Sequence, residues 1–121
     1  MENHRNIVLE KSSEFGLKVI DFCQELKRHN HHEIANQLLR SGTSVGANIF
    51  EAQSAESRQD FIHKMKLAKK EAFESRYWLW LCKNSEYLPG ADALEEKAIE
   101  LNKILNRIIA TTKESLKTKN H

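Results

Sequence analysis

Apolar residues recur along the whole chain at the three- and four-residue spacing of amphipathic helices. The clearest stripe steps by four, three, four and three residues through Leu94, Ala98, Leu101, Leu105 and Ile108. Earlier stripes with the same spacing are Val8, Phe15, Val19, Phe22 and Leu26; Ile34, Leu38, Val45, Ile49 and Ala52; and Phe61, Met65, Ala68, Ala72, Leu79 and Cys82. The pattern predicts four helices, at about 6–28, 31–55, 58–86 and 93–115.

Helix start signals support these boundaries. Asn30 with Glu33, Ser57 with Asp60 and Asp92 with a glutamate three residues later each resemble a capping box, in which a short polar side chain covers exposed backbone N–H groups. Short connections between amphipathic helices favour an antiparallel up-down-up-down bundle. The sequence therefore predicts an all-α four-helix bundle that forms one domain over residues 1–121.

Composition narrows the class of protein. Hydrophobic residues make up 40% of the chain and charged residues 30%, and no apolar run approaches the length of about 18 residues that spans a bilayer. The beginning of the chain is polar, so we expect a cytoplasmic protein with no membrane contact. In such a protein Cys23 and Cys82 are interpreted as small core residues rather than as a disulfide.

The segment "RSGTSVGANIFEA", from Arg40 to Ala52, contains two glycines among small hydroxyl residues, a composition that resembles a phosphate-binding loop. A phosphate-binding loop requires a lysine after its second glycine and a preceding strand. Here Ala47 follows Gly46, the glycines are too close together, and no strand precedes them. We therefore predict a helix in which Gly42 and Gly46 let another helix approach closely.

Polar residues occupy the opposite flank of the same helix. They step by seven, four and three residues and comprise Gln37, Ser44, Asn48 and Glu51. We interpret them as a structural seam of buried or half-buried hydrogen bonds, in which Glu51 pairs with a basic side chain of the third helix. The alternative is a ligand site.

The sequence from Gln37 to Leu81 resembles a small bacterial four-helix-bundle family associated with intervening sequences in 23S ribosomal RNA genes. The most specific segments are "SGTSVGANIFEA", "SRQDF" and "RYWL", and the likeness extends to "EKSSEF" and "ELNKILNRII". The family is similar to the accessory variability proteins of diversity-generating retroelements, which are basic pentamers that bind nucleic acid and a reverse transcriptase. The resemblance thus implies a homopentamer, with RNA or DNA and a reverse transcriptase or other protein as partners. It implies no specific activity.

Basic charge is concentrated in the third predicted helix. Residues 57–85 carry seven Lys or Arg and three Asp or Glu, whereas the whole chain has a net charge of only +2. The candidate nucleic-acid-binding residues are Arg58, Lys66, Lys69, Lys70 and Arg76. The alternative is that these cations are solvated, or pair with Glu51 and with the acidic start of the fourth helix.

Catalytic and metal-binding patterns are weak. His29, His31 and His32 lack the second ligand pair of a typical helical zinc site and are interpreted as a polar turn. Neither Ser44 nor Cys23 has an identifiable base and acid partner. We predict a non-enzymatic protein with no cofactor and no bound metal.

The segment "YWLWL", from Tyr77 to Leu81, is apolar around more than one helix face. Helical spacing predicts that Trp80, beside Ile62 and Phe73, widens the core, and that a second face lies at an interface between subunits. That second face comprises Leu67, Trp78 and Leu81.

Together these features predict a homo-oligomeric bundle that binds RNA or DNA through a repeated basic surface, as an accessory to a larger nucleic-acid enzyme. The alternative hypothesis is a structural or protein-interaction oligomer that binds no nucleic acid.

Overall fold

The structure, a computed structural model, describes residues 4–119 and the side chains of residues 7–118. Four helices account for most of this range and no strand occurs in it: α1 is His4–Arg28, α2 is His32–Ala52, α3 is Arg58–Asn84 and α4 is Asp92–Lys119. The observed ends of the helices lie within four residues of the predicted ends. The largest difference is at the end of α4, which continues four residues beyond the predicted position.

Each helix packs along the next in the chain, and α1 meets α4 to close the arrangement. Within residues 4–119 the backbones of the diagonal pairs, α1 with α3 and α2 with α4, do not approach each other closely. The short connections force neighbouring helices to run antiparallel. The predicted up-down-up-down four-helix bundle is confirmed.

The core is built mainly from the predicted apolar stripes, although Phe22 and Ile34 are only half-buried. Every member of the α3 stripe is buried, and so are Leu94, Ala98, Leu101 and Leu105 of α4. The stripe drifts near the end of α4, where Ile109 is buried and Ile108 is only half-buried. This drift is expected because a straight helix repeats every 3.6 residues rather than every 3.5.

The helix start at Ser57 is as predicted. The Ser57 hydroxyl accepts a hydrogen bond from the Asp60 N–H at 3.0 Å, which satisfies one of the exposed donors of the first turn of α3.

The capping box predicted at Asn30 is wrong. Asn30 has φ 69° and ends α1 in the left-handed conformation. The N–H of His31 donates to the Leu26 carbonyl at 2.8 Å and that of Asn30 to the Lys27 carbonyl at 3.0 Å, which together form a Schellman motif. Asparagine tolerates this conformation better than most residues, so it serves the end of α1 rather than the start of α2.

The two glycines of α2 differ in how closely α1 approaches. A Cβ at Gly42 would lie 2.8 Å from the Val19 Cγ1 atom, so α1 and α2 touch there at a distance that only glycine permits. At Gly46 a Cβ would lie 3.5 Å from the Ser12 backbone oxygen, which is an ordinary contact. Gly42 therefore makes room for the Val19 side chain, whereas Gly46 is the glycine that the α1 backbone approaches.

The polar residues of the α2 seam do not form a shared buried network. Ser44 and Asn48 are half-buried and donate to the backbone of their own helix, to the Arg40 carbonyl at 2.6 Å and the Ser44 carbonyl at 2.9 Å. Serine and asparagine readily make such bonds inside helices. Gln37 and Glu51 are exposed, and only Glu51 reaches α3, where it pairs with Lys64 at 3.1 Å.

A different set of polar residues lies inside the bundle. The Ser41 and Ser75 hydroxyls, both fully buried, join α2 to α3 at 2.9 Å. The buried Asn102 of α4 donates to the Lys69 carbonyl at 3.2 Å and leaves its own Oδ1 without a protein partner. These hydrogen bonds tie α3 to both of its neighbours.

The expected placement of the aromatic residues of α3 is also corrected. Trp80 and Phe73 do not widen the core, because they are 50% and 63% exposed. Trp78, predicted to face outward, packs against the core beside Ile34 of α2. The reason is that Trp78 lies on the side of α3 that faces α2, whereas Trp80, about 200° further round the helix, lies on the outward side near Glu95 of α4.

Candidate nucleic-acid interface

The exposed face of α3 carries three of the predicted nucleic-acid-binding residues. Lys66, Lys69 and Lys70 are spaced by three and one residues, so they extend from one side of the helix surface. All three are exposed. They lie on the side of α3 opposite the buried stripe, with Lys69 nearest to α4, since the backbone of Lys69 accepts the Asn102 hydrogen bond.

The fourth helix adds two lysines to this face. Because α4 runs antiparallel to α3, its final turns lie beside the first half of α3. The hydrogen-bonding contact with Lys66 and the positive charge of Lys66 lower the pKa of Lys113, and the charges of Lys69 and Lys117 act in the same direction. We call Lys66, Lys69, Lys113 and Lys117 the lysine cluster.

Acidic side chains near α3 are engaged elsewhere. The ion pairs that involve α3 join Lys64 to Glu51, Lys83 to Glu95, and Arg40 to Glu71 and Glu74. The alternative predicted from the sequence, pairing with Glu51 and with the acidic start of α4, therefore applies to Lys64 and Lys83. Within the part of the chain that the structure describes, no carboxylate pairs with the lysine cluster or with Lys70.

The two candidate arginines have other surroundings. Arg58 is half-buried and donates to the Ser115 hydroxyl, so it helps to hold the beginning of α3 against the end of α4. Arg76 lies over the ring of Phe73, with its guanidinium carbon 5.2 Å from the ring centroid. Each arginine thus has a local partner, whereas Lys66, Lys69 and Lys70 are exposed on one side of α3.

Sequence reasoning missed Lys113 and Lys117. In the sequence they are recognisable as two lysines, four residues apart, at the end of the last helix. In an antiparallel bundle that end must lie beside the first half of α3, so the topology and this spacing together could have found them.

The predicted subunit-interface residues are less exposed than expected. Leu67, Trp78 and Leu81 are all half-buried, and Trp78 donates from Nε1 to Glu74 at 3.0 Å. Trp78 and Leu81 still line a shallow groove with Ile34 between α2 and α3. Their role at an interface stays a prediction.

A second apolar surface lies between α1 and α2. Leu17 is 65% exposed and Phe50 is 68% exposed, and both line a groove with Ile20 along the glycine-containing sides of the two helices. Side chains this apolar and this exposed on neighbouring helices are typical of a surface that contacts another protein.

The residues considered for chemistry occupy unremarkable surroundings. His29 is exposed and lies 3.9 Å from Glu25, and residues 7–118 contain no group of three His, Cys, Asp or Glu side chains placed to hold a metal ion. Burial raises the pKa of both Cys23 and Cys82 to about 11, which keeps the thiols protonated and unreactive at neutral pH.

The family can be assigned by comparison with known proteins. The profile of the 23S rRNA-intervening sequence protein family matches residues 4–107, which is most of the chain and all three helices that precede α4. The chain belongs to the 23S rRNA-intervening sequence protein family. This confirms the resemblance identified from the sequence. Among curated proteins none matches the chain.

A solved structure shows the same fold in a similar protein. It is the crystal structure of a protein of unknown function from the S23 ribosomal protein family of Bacteroides thetaiotaomicron VPI-5482. The two chains are 40% identical, and the match covers 89% of this chain and 99% of that one with a TM-score of 0.84. None of the helices within residues 4–119 combines the length and the apolar character that a membrane-spanning segment requires.

Proposed function

We propose that this protein is a non-enzymatic, homo-oligomeric module that binds nucleic acid through the lysine cluster. The observation that carries the proposal is that lysines from two helices lie on one exposed face with no carboxylate partner among residues 7–118. Lysines that repel one another weaken the bundle, and a bound polyanion would relieve that repulsion. Phosphate groups along RNA or DNA present such an anion at regular spacing.

Oligomerisation strengthens the proposal. A single subunit offers only a few phosphate contacts, which is a weak site by itself. In a ring each subunit repeats the lysine cluster, and the contacts act together because the second and later ones form at high effective concentration. The pentamer implied by the family resemblance would present five such clusters. It would thereby serve as an accessory to a larger nucleic-acid enzyme such as a reverse transcriptase.

The first test measures binding as a function of salt. We expect the affinity for generic RNA or DNA to fall steeply between about 50 and 200 mM salt, because bound lysines displace counterions. The double variant Lys66→Gln/Lys113→Gln should weaken binding and lower the slope of log affinity against log salt by about 1.4 to 1.8 per bound subunit. Fluorescence anisotropy with a labelled oligonucleotide measures both quantities.

A matched control removes the same charge from another face. Lys11 and Lys18 of α1 are exposed and each pairs with a glutamate, so Lys11→Gln/Lys18→Gln changes the net charge equally. This variant should retain nearly all of the affinity. Equal losses in the two double variants would mean that binding follows net charge rather than the lysine cluster, and absence of binding by the parent at about 50 mM salt would refute the proposal.

The alternative function, a protein-interaction oligomer, rests on a separate observation. The groove lined by Leu17, Ile20 and Phe50 is apolar and lies between α1 and α2, away from the lysine cluster. If the parent binds no nucleic acid but forms an oligomer through this groove, the protein-interaction hypothesis replaces the first.

A further inference from the structure

The outward face of α3 changes character halfway along the helix. Its first half presents Lys66, Lys69 and Lys70, and its second half presents Phe73, Tyr77 and Trp80. The spacing of three or four residues places all six side chains on one side of the helix. We call the three aromatic residues the aromatic ridge.

The aromatic ridge contributes little to the bundle. Phe73, Tyr77 and Trp80 are 63%, 54% and 50% exposed. Tyr77 meets Trp78 at 5.3 Å between ring centroids, and the Arg76 guanidinium covers one side of Phe73. Three large rings left half in water on one helix face form an apolar patch of the kind that marks a binding surface.

The surroundings of the aromatic ridge are polar and cationic. Arg76 has no carboxylate partner among the residues whose side chains are described. Lys69 lies one helical turn before Phe73, the first residue of the ridge. One acid, Glu95, borders the ridge beside Trp80 and pairs with Lys83 at 3.8 Å. Rings flanked by unpaired cations fit a ligand that is both flat and anionic.

Lysines and rings form one continuous path. From Lys66 to Trp80 the helix rises about 21 Å, long enough to follow several nucleotides. Proteins that bind single-stranded nucleic acid combine a cationic track for the phosphates with aromatic side chains on which bases stack. In a duplex the bases already stack on one another, so their faces are closed to the ridge.

We propose that the aromatic ridge stacks unpaired bases while the neighbouring lysine cluster holds the phosphates, so that the protein prefers single-stranded to double-stranded nucleic acid. This inference rests on the proposed function and specifies its ligand. Because every base has a flat face, stacking of this kind is tolerant of sequence.

The experiment compares a labelled single strand of about 15 nucleotides with the duplex of the same sequence at about 50 mM salt. The parent should bind the single strand more tightly. Phe73→Ser/Tyr77→Ser should lose about tenfold or more in affinity for the single strand and little for the duplex. Both residues are exposed, so the bundle should keep its helicity by circular dichroism.

The control replaces an aromatic residue outside the ridge. Tyr87, in the connection between α3 and α4, is 81% exposed, and Tyr87→Ser should leave both affinities unchanged. If Phe73→Ser/Tyr77→Ser binds both nucleic acids as the parent does, the inference is wrong while the proposed function stands. A fall in molecular mass by light scattering without a change in affinity would instead identify the ridge as a protein interface. If the parent binds neither nucleic acid, the proposed function itself fails.

Discussion

At the scale of single residues, the distance at which two helices pack depends on where glycine takes the place of a residue with a side chain. The first prediction concerns Gly42. A methyl group there would collide with Val19, which is fully buried and has a branched, stiff side chain. We expect Gly42→Ala to destabilise the bundle by about 1–3 kcal/mol, although alanine favours a helix by up to about 1 kcal/mol. Urea unfolding followed by circular dichroism measures the change.

Gly16 of α1 provides the control for this substitution. Nothing lies within 4 Å of a Cβ added there, and the residue is also inside a helix. Gly16→Ala should therefore stabilise the protein by up to about 1 kcal/mol. If both variants shift stability in the same direction, helix propensity rather than close packing decides the effect.

The second prediction concerns the two buried thiols. Their pKa is about 11 in the folded protein against 9.0 in the absence of burial, so the unfolded chain loses its thiol protons first as the pH rises. The thiols therefore contribute stability below pH 9, and this contribution is lost as the pH approaches 11. Between about pH 8 and pH 10 the loss is about 1 kcal/mol per thiol.

The variant Cys23→Ala/Cys82→Ala isolates this effect. Other groups titrate over the same range in both proteins, so the difference between parent and variant reports the thiols. We expect the free energy of unfolding to fall less steeply from about pH 8 to pH 10 in the variant. Parallel curves would show that the thiols ionise equally in the folded and unfolded states.

At the scale of helices, a hydrogen bond between two buried hydroxyl groups joins α2 to α3. The third prediction uses Ser41 and Ser75, whose hydroxyls are 2.9 Å apart in the core. Each also has a carbonyl of its own helix within reach, so removing one does not leave the other unpaired. We expect Ser75→Ala to cost about 1 kcal/mol, and Ser41→Ala to cost little more once Ser75 is alanine.

A double-mutant cycle by urea unfolding measures this coupling, with Ser44→Ala as the control. The Ser44 hydroxyl is half-buried and bonds only to the carbonyl of Arg40 within α2, so its removal should have a small effect. Additive costs at Ser41 and Ser75 would mean that the two hydroxyls do not act as a pair.

At the scale of the whole molecule, the bundle leaves apolar side chains on its surface. The fourth prediction is that the protein is a homo-oligomer and that the α1–α2 groove forms part of the contact. Light scattering behind size exclusion should give a mass well above the 14.1 kDa of one chain. Leu17→Ser/Phe50→Ser should lower that mass, because it removes two exposed apolar side chains.

Two further variants locate the contact. Tyr87→Ser changes an exposed aromatic residue in a connection and should leave the mass unchanged. Leu81→Ser tests the groove between α2 and α3, which contains the interface residues predicted from the sequence. If Leu81→Ser lowers the mass and Leu17→Ser/Phe50→Ser does not, the contact lies in the groove between α2 and α3. A monomeric parent would contradict the prediction.

The sequence by itself determined the four helices, their antiparallel order and most of the core, because the spacing of apolar residues reports the angle of each side chain around its own helix. It also determined the start of α3 at Ser57, since a cap involves only neighbouring residues. The exposed positions of Lys66, Lys69 and Lys70 likewise followed from their spacing along one helix.

The tertiary structure decided everything that depends on a second helix. Trp78 and Trp80 are equally apolar, yet only Trp78 packs against the core, because its side of α3 faces α2 while the side that carries Trp80 faces outward. Gly42 rather than Gly46 lacks room for a Cβ, because the Val19 side chain of α1 packs directly against it. Lys113 joins the α3 lysines because antiparallel packing places distant residues side by side, and a periodicity within one helix carries no information about its neighbour's position.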